Sequence, residues 1–233
     1  MTATAPAAGT RQDRRKRATR ARLLNAAFQL MAERGADAVA VNEITEAADL
    51  GQGTFYNHFE SREAIYAALT VLVFEEFADQ LETAFANVED PAEVISINIQ
   101  HTVLRARREP LWGRFLIREG LSAKSIERGL GARLLRDINW GLDQGRFHLA
   151  DPILGYLAVS GGVIASISAE LDADTDPHSV FHRYNVGQLD FPQRTATAML
   201  HNLGLSFEEA QSIAERPLPE LPANNSKIES PAS

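Results

Sequence analysis

The sequence predicts an all-α protein, and three observations predict it. Apolar residues recur at three- and four-residue spacing along most of the 233 residues, which is the period of one helix face. The stripes are separated by Gly35, Gly120, Gly145, Pro91, Pro110, Pro152 and Pro192, residues that stop a helix or open one. No stretch alternates apolar and polar residues long enough to read as a strand, and there is no internal repeat.

The elements follow in order. Residues 1 to about 12 are a low-complexity stretch of Ala, Thr, Pro and Gly, expected to lack fixed structure. From Thr19, the residues Leu23, Leu24, Ala27, Phe28 and Met31 line one helix face that Gly35 ends. Val41, Ile44, Ala47 and Ala48 make a shorter stripe, Asp49 to Gly51 a turn, and Gln52 to His58 a third short helix. Ser61 has the side chain to cap a long fourth helix, whose apolar positions Ile65, Leu69, Leu72, Phe77, Leu81 and Phe85 run on towards Pro91. Ala92 to Arg108 is apolar on more than one side, the mark of a helix buried between neighbours. Helices are expected around 111–119, 122–144 and 152–171, then from Pro192 through Leu203, and last over the segment that Ser206 caps. The tail from Pro217 is rich in Pro and Asn and is expected to fray.

Composition narrows the functions. The chain has no cysteine, which removes disulfides, thiolate metal sites and cysteine nucleophiles and fits a reducing cytoplasm. No secretory leader is read at the N-terminus, and the apolar runs are broken before the length of a membrane span, about 20 residues. There is no Walker loop, no GxSxG and no HExxH, so no catalytic site is expected. His178 and His182 stand four apart beside Asp172, Asp174 and Asp176; the pair reads as surface chemistry, and no metal site is assigned. The net charge is −8, but residues 11–22 hold seven basic residues against Asp13 alone, a local +6 that leaves −14 elsewhere. Such a run is either a solvated tail or an arm that neutralises phosphates.

The stretch GTFYNHF, residues 53–59, decides between these. On a helix Phe55 and Phe59 share one face and can pin the short element onto the first helix. Gly53, Thr54, Asn57 and His58 then fall on the outward arc, with Tyr56 at its border. A three-helix unit with a short turn before its last helix is a helix-turn-helix, and its last helix fits the DNA major groove. Gln52, Thr54 and Asn57 can hydrogen-bond base edges, while Tyr56 and His58 suit phosphate oxygens. Gly53 lets the backbone approach closely. The basic arm stands just before this unit, so Arg14, Arg15 and Arg17 are read as phosphate contacts.

Residues 27–69, with GTFYNHFESRE at their centre, resemble the DNA-binding domain of the tetracycline-repressor (TetR) family of bacterial transcriptional regulators. The resemblance implies a helix-turn-helix domain, over 19–60, and a helical ligand-binding and dimerisation domain, over 61–216; composition adds a disordered basic arm over 1–18 and a flexible tail over 217–233. It implies an effector-responsive repressor that binds a pseudo-palindromic double-stranded DNA operator as a homodimer in the cytoplasm, without a cofactor. The family's DNA contacts map onto Gln52, Gly53, Thr54, Tyr56, Asn57 and His58. Its frequent lysine after the recognition helix is here Arg62, placed to hold phosphate. Two positions depart from the family: Ala40 stands where a capping Thr or Ser is frequent, and Asp49 where Gly is frequent.

For the second domain, Phe74, Phe77, His101, Trp112, Phe115 and Trp140 are read as candidates for the walls of a ligand pocket. For His101 a buried, hydrogen-bonded core residue is the default reading and a polar group of the pocket the minority one. Surplus apolar faces over 92–144, with few polar groups among them, suit a small, mostly apolar effector; Arg105, Arg107, Arg108, Arg114 and Arg118 would suit an acid if two of them turned inward. Ala158, Gly161, Gly162 and Ala165, with Met199 and Leu203, are the expected dimer interface.

Overall fold

A computed structural model describes residues 10–176 and 178–221. Among these residues every regular element is helical. The chain divides into two compact units, one ending at Leu69 and the other beginning at Thr70.

The first unit opens with α1, Arg11–Arg34. This corrects the expected arm: its basic residues are the first turns of the helix, and of its span residues 1–9 lie outside the described chain. A capping box causes the early start. Thr10 Oγ1 accepts from the Asp13 backbone N–H at 3.2 Å, and the Asp13 carboxylate accepts from the Thr10 N–H at 2.9 Å, which satisfies two orphan donors. Gly35, at φ 85°, ends the helix. After a 3₁₀ turn, Ala36–Ala38, come α2, Val41–Ala47, α3, Gln52–Tyr56, and α4, Arg62–Thr70. The Ser61 hydroxyl accepts from the Ala64 N–H at 3.2 Å, as its position predicts. Leu23, Ala27, Met31, Ile44, Phe55, Ile65 and Leu69 form a dry core.

The two departures from the family pattern have local solutions. Ala40 offers no side-chain cap to α2, but Glu43 reaches back to the Ala40 N–H at 2.8 Å and pairs with Arg34 at 2.8 Å. Half of a capping box is therefore present. Asp49 sits at φ 50° in the turn between α2 and α3, a conformation that glycine adopts most cheaply. Arg22 braces that turn, donating to the carbonyls of Ala48 at 2.6 Å and Asp49 at 3.1 Å.

The second unit begins with a π turn, Val71–Glu75, followed by α5, Glu76–Ala84. A long uninterrupted α-helix was expected here; instead a carbonyl of the wide turn, that of Val73, accepts from the buried Trp112 indole N–H at 3.3 Å. Next come α6, Pro91–Arg108, and α7, Pro110–Glu119. α6 is buried on several sides, as its all-round apolar pattern predicts. The helix expected over 122–144 is two helices, α8, Ala123–Ile126, and α9, Gly129–Asp143, because Gly129 takes φ 59° between them. Then α10, Pro152–Thr175, α11, Val180–Arg183, α12, Phe191–Asn202, and α13, Phe207–Ala214, complete the unit. Asp90, Asp151 and Ser206 cap α6, α10 and α13 with their side chains.

Part of the tail is ordered against α6. Gln100 donates to the Ala214 carbonyl at 3.0 Å, and His101 Nε2 meets the Pro219 carbonyl at 2.9 Å. A carbonyl only accepts, so this nitrogen carries the proton. The expectation of a fraying tail is thereby corrected for residues 217–221; the remainder lies outside the described residues. α10 also corrects an expectation, since by length and composition it could cross a membrane.

Candidate functional site

In the first unit the short helix α3 is anchored by its aromatics. Phe55 and Phe59 are buried, with ring centroids 5.8 Å apart, and the Arg20 guanidinium lies 5.0 Å from the Phe59 ring. Anchoring from below leaves Gln52, Gly53, Tyr56 and Asn57 exposed and Thr54 and His58 half-buried. The Tyr56 ring packs edge-on against Phe55 at 5.4 Å, yet 59 % of the residue stays accessible. A Cβ at Gly53 would meet nothing within 4 Å. The arc therefore offers amide, hydroxyl and imidazole groups on a rigid support.

Cations stand beside this arc, and they are not those singled out from the sequence. Partial burial lowers the His58 pKa, and the charges of Lys16 and Arg20 lower it further. Lys16 and Arg20 are one turn apart on α1, so they share one face. Arg14, Arg15 and Arg17 are exposed on other sides of the same helix. Arg62 is spent inside the unit: it donates to the carbonyls of Ala36 at 3.1 Å and Asp37 at 2.8 Å, and it pairs with Asp37 and Glu63. It ties α4 to the 3₁₀ turn, so it is not the spare cation that a phosphate contact needs. Asp49, whose carboxylate would repel a phosphate, faces Arg22 at 3.5 Å.

In the second unit a cavity of about 80 Å³ opens between α5, α6, α7, α9 and α10. None of the six residues expected to line a pocket borders it. Phe74, Phe77, Trp112 and Phe115 are instead packed into one aromatic cluster, with neighbouring centroids 5.3–6.3 Å apart. Arg105 stacks over Phe77 at 4.6 Å and Trp112 at 4.7 Å, and pairs with Glu109. His101 is held by Pro219, and burial lowers its pKa, which is the buried-histidine reading. Here large rings fill the core, and aliphatic residues border the void.

The cavity wall is mostly aliphatic, with Leu81, Ile99, Leu134 and Val159 among its members. Tyr156 is 1 % exposed, and its hydroxyl has no hydrogen-bond partner. None of the five arginines expected to threaten an apolar pocket lines it; Arg107, for one, is paired with the buried Glu170. Arg133 does line it, but its guanidinium is held by Glu75 at 2.8 Å, by Glu82 at 3.2 Å and by Asp79.

The expected dimer residues divide in two. A Cβ on Gly162 would overlap Met199 of α12, and one on Gly155 would approach Leu203. Gly162, Met199 and Leu203 therefore serve packing within the chain. Around Gly161 a Cβ would meet nothing within 4 Å, Ala165 is exposed and Ala158 half-buried. They share the outer side of α10 with Leu154 and Leu157, which are 62 % and 45 % exposed. Among the described residues no group of three potential metal ligands is found.

Fold and site together define a helix-turn-helix regulatory protein with a second, helical domain. Residues 23–69 match the family model for bacterial regulatory proteins of the tetR family, and residues 90–216 match that for the tetracyclin repressor-like C-terminal domain. The chain belongs to the TetR family. Its solved relatives include RolR in complex with resorcinol, 37 % identical, with TM-score 0.63 over 90 % of this chain and all of that one. The repressor DhaR of Mycobacterium sp. (strain GP1) is 34 % identical over 95 residues, 41 % of this chain and 46 % of DhaR. An uncharacterised helix-turn-helix regulator of Mycobacterium tuberculosis is 32 % identical over 89 residues, 38 % of this chain and 44 % of its own. The matches thus span under half the length of these curated relatives.

Proposed function

We propose that this chain is a one-component transcriptional regulator that binds operator DNA as a homodimer and responds to a small, mostly apolar effector. The observation that carries the reading is the exposed polar arc of α3, fixed on buried Phe55 and Phe59 and flanked by Lys16 and Arg20. Gln52, Thr54 and Asn57 are the base-reading side chains. Tyr56, His58 and the cations of α1 hold phosphates, and Gly53 lets the backbone come close. Two copies place α3 in successive major grooves, about 34–36 Å apart. The dimer uses the outer side of α10, since only 28 % of its most apolar stretch is buried within one chain. The effector occupies the cavity of the second unit. The match to DhaR, a repressor, favours repression, in the cytoplasm.

The test is fluorescence anisotropy with DNA tiled across the region upstream of the protein's own gene. One pseudo-palindromic segment is expected to bind at least 10³-fold more tightly than scrambled DNA at physiological salt, with two chains per site by sedimentation. Equal binding to all segments would refute the regulatory reading.

A further inference from the structure

The cavity wall says what kind of effector it takes, an inference that rests on the effector-responsive reading above. Three features restrict it. The first is size. A cavity of about 150 Å³ admits benzene, and this one measures about 80 Å³, so even a single ring needs its wall to give way, and a bulkier ligand needs more.

The second is charge. Arg133 is the basic side chain in the wall, and three carboxylates already surround it. Among the described side chains an anionic ligand would therefore meet no cation that lacks a carboxylate partner, and an unpaired buried charge is costly. Among the described residues no carboxylate lines the cavity to meet a cationic ligand either.

The third is the pattern of polar groups left without partners. The Tyr156 hydroxyl is buried and unpaired, which a native structure rarely leaves so. Ser160, one turn further along α10, gives its hydroxyl to the Tyr156 carbonyl at 2.7 Å, so it does not supply the missing partner. On α6 the Asn98 side chain lines the same cavity, while Thr102 is turned to the Asn98 carbonyl at 2.7 Å. Tyr156 and Asn98 therefore bring two polar side chains with no hydrogen-bond partner among the described residues to the cavity wall, from two different helices. Gly131 lets the chain pack tightly here, since a Cβ there would lie 2.1 Å from the Ser125 carbonyl oxygen and 2.9 Å from the Tyr156 hydroxyl.

We propose that the effector is an uncharged, single-ring molecule with two hydrogen-bonding substituents, one meeting the Tyr156 hydroxyl and the other the Asn98 amide. A dihydroxybenzene has this chemistry. Tyr156 and Asn98 are then the specificity-determining residues.

Isothermal titration calorimetry of the full-length protein with resorcinol, phenol, 3-hydroxybenzoate and decanoate tests this. Resorcinol is expected to bind best, with phenol about five- to tenfold weaker for the loss of one hydrogen bond and 3-hydroxybenzoate weaker still. Tyr156→Phe keeps the ring and should weaken resorcinol about five- to tenfold; Asn98→Ala is the second, independent variant. Unchanged resorcinol affinity in both variants would overturn the assignment. So would 3-hydroxybenzoate binding as tightly as resorcinol. Binding of decanoate alone would overturn the ligand class while sparing the effector reading. If no probe binds a protein that still holds its operator, the ligand class falls; if that complex also ignores cell-extract metabolites, the effector reading falls with it.

Discussion

At the scale of single residues, the turn before α3 shows how one position carries two demands. Asp49 adopts φ 50°, which costs an L-residue energy that glycine avoids. The exposed Arg22 pair opposite it returns little. Asp49→Gly is therefore expected to raise the Tm by about 2–4 °C, and Asp49→Val to lower it, as read by circular dichroism. A lower Tm for the glycine variant would mean that the Arg22 pair outweighs the backbone strain. His58 carries a different consequence. Its pKa is lowered by partial burial and by Lys16 and Arg20, so the unbound imidazole is neutral at pH 7. A phosphate oxygen favours the protonated ring and would raise that pKa. DNA affinity should then increase as pH falls through the raised value, and level off below the lowered one. Anisotropy between pH 8 and pH 5.5 should show this rise, and His58→Gln should flatten it. A rise that survives His58→Gln would place the titrating group elsewhere.

At the scale of elements, the sequence was most legible where side chains cap or anchor. Ser61 and Ser206 sit where their hydroxyls predict, and Phe55 and Phe59 are buried at the spacing that placed them on one face. It was least legible where a backbone signal had to outweigh composition. The box between Thr10 and Asp13 starts α1 inside a stretch that composition alone marks as unstructured. Gly129 breaks a helix that the apolar pattern carries straight through. The walls of a cavity are hard to read for a related reason: hydrophobic pattern marks burial but does not distinguish a filled core from a void. The rings of Phe74, Phe77, Trp112 and Phe115 fill space against one another, whereas the wall that holds Tyr156 is aliphatic. Capping also makes a prediction. α2 starts at Ala40 with only the Glu43 half of a box. Ala40→Ser restores the other half and should stabilise the protein by about 1 kcal/mol in urea denaturation. No gain would show that Glu43 and Arg34 already satisfy this helix end.

At the scale of the whole molecule, the charge distribution sets how the protein meets DNA. Residues 11–22 carry +6 in a chain of net −8, so the field attracts phosphate at α1 and repels it elsewhere. Because the basic segment is helical, its cations cannot all reach one duplex. With about 100° per residue, Lys16 and Arg20 share a face, and they are the cations felt by His58. Arg14 and Arg15 point about 120–140° away from that face. The two pairs should therefore separate in salt titrations. Replacing Lys16 and Arg20 with alanine should weaken binding to all sequences and lower the slope of log K against log salt by about 0.9 for each phosphate no longer neutralised. Replacing Arg14 and Arg15 should leave the slope nearly unchanged. Net charge changes equally in both double variants, so any difference between them reports the geometry of α1 on the duplex and not bulk charge. Equal reductions in slope would mean that the first turns of α1 unwind on DNA and that the basic residues act together as a flexible arm.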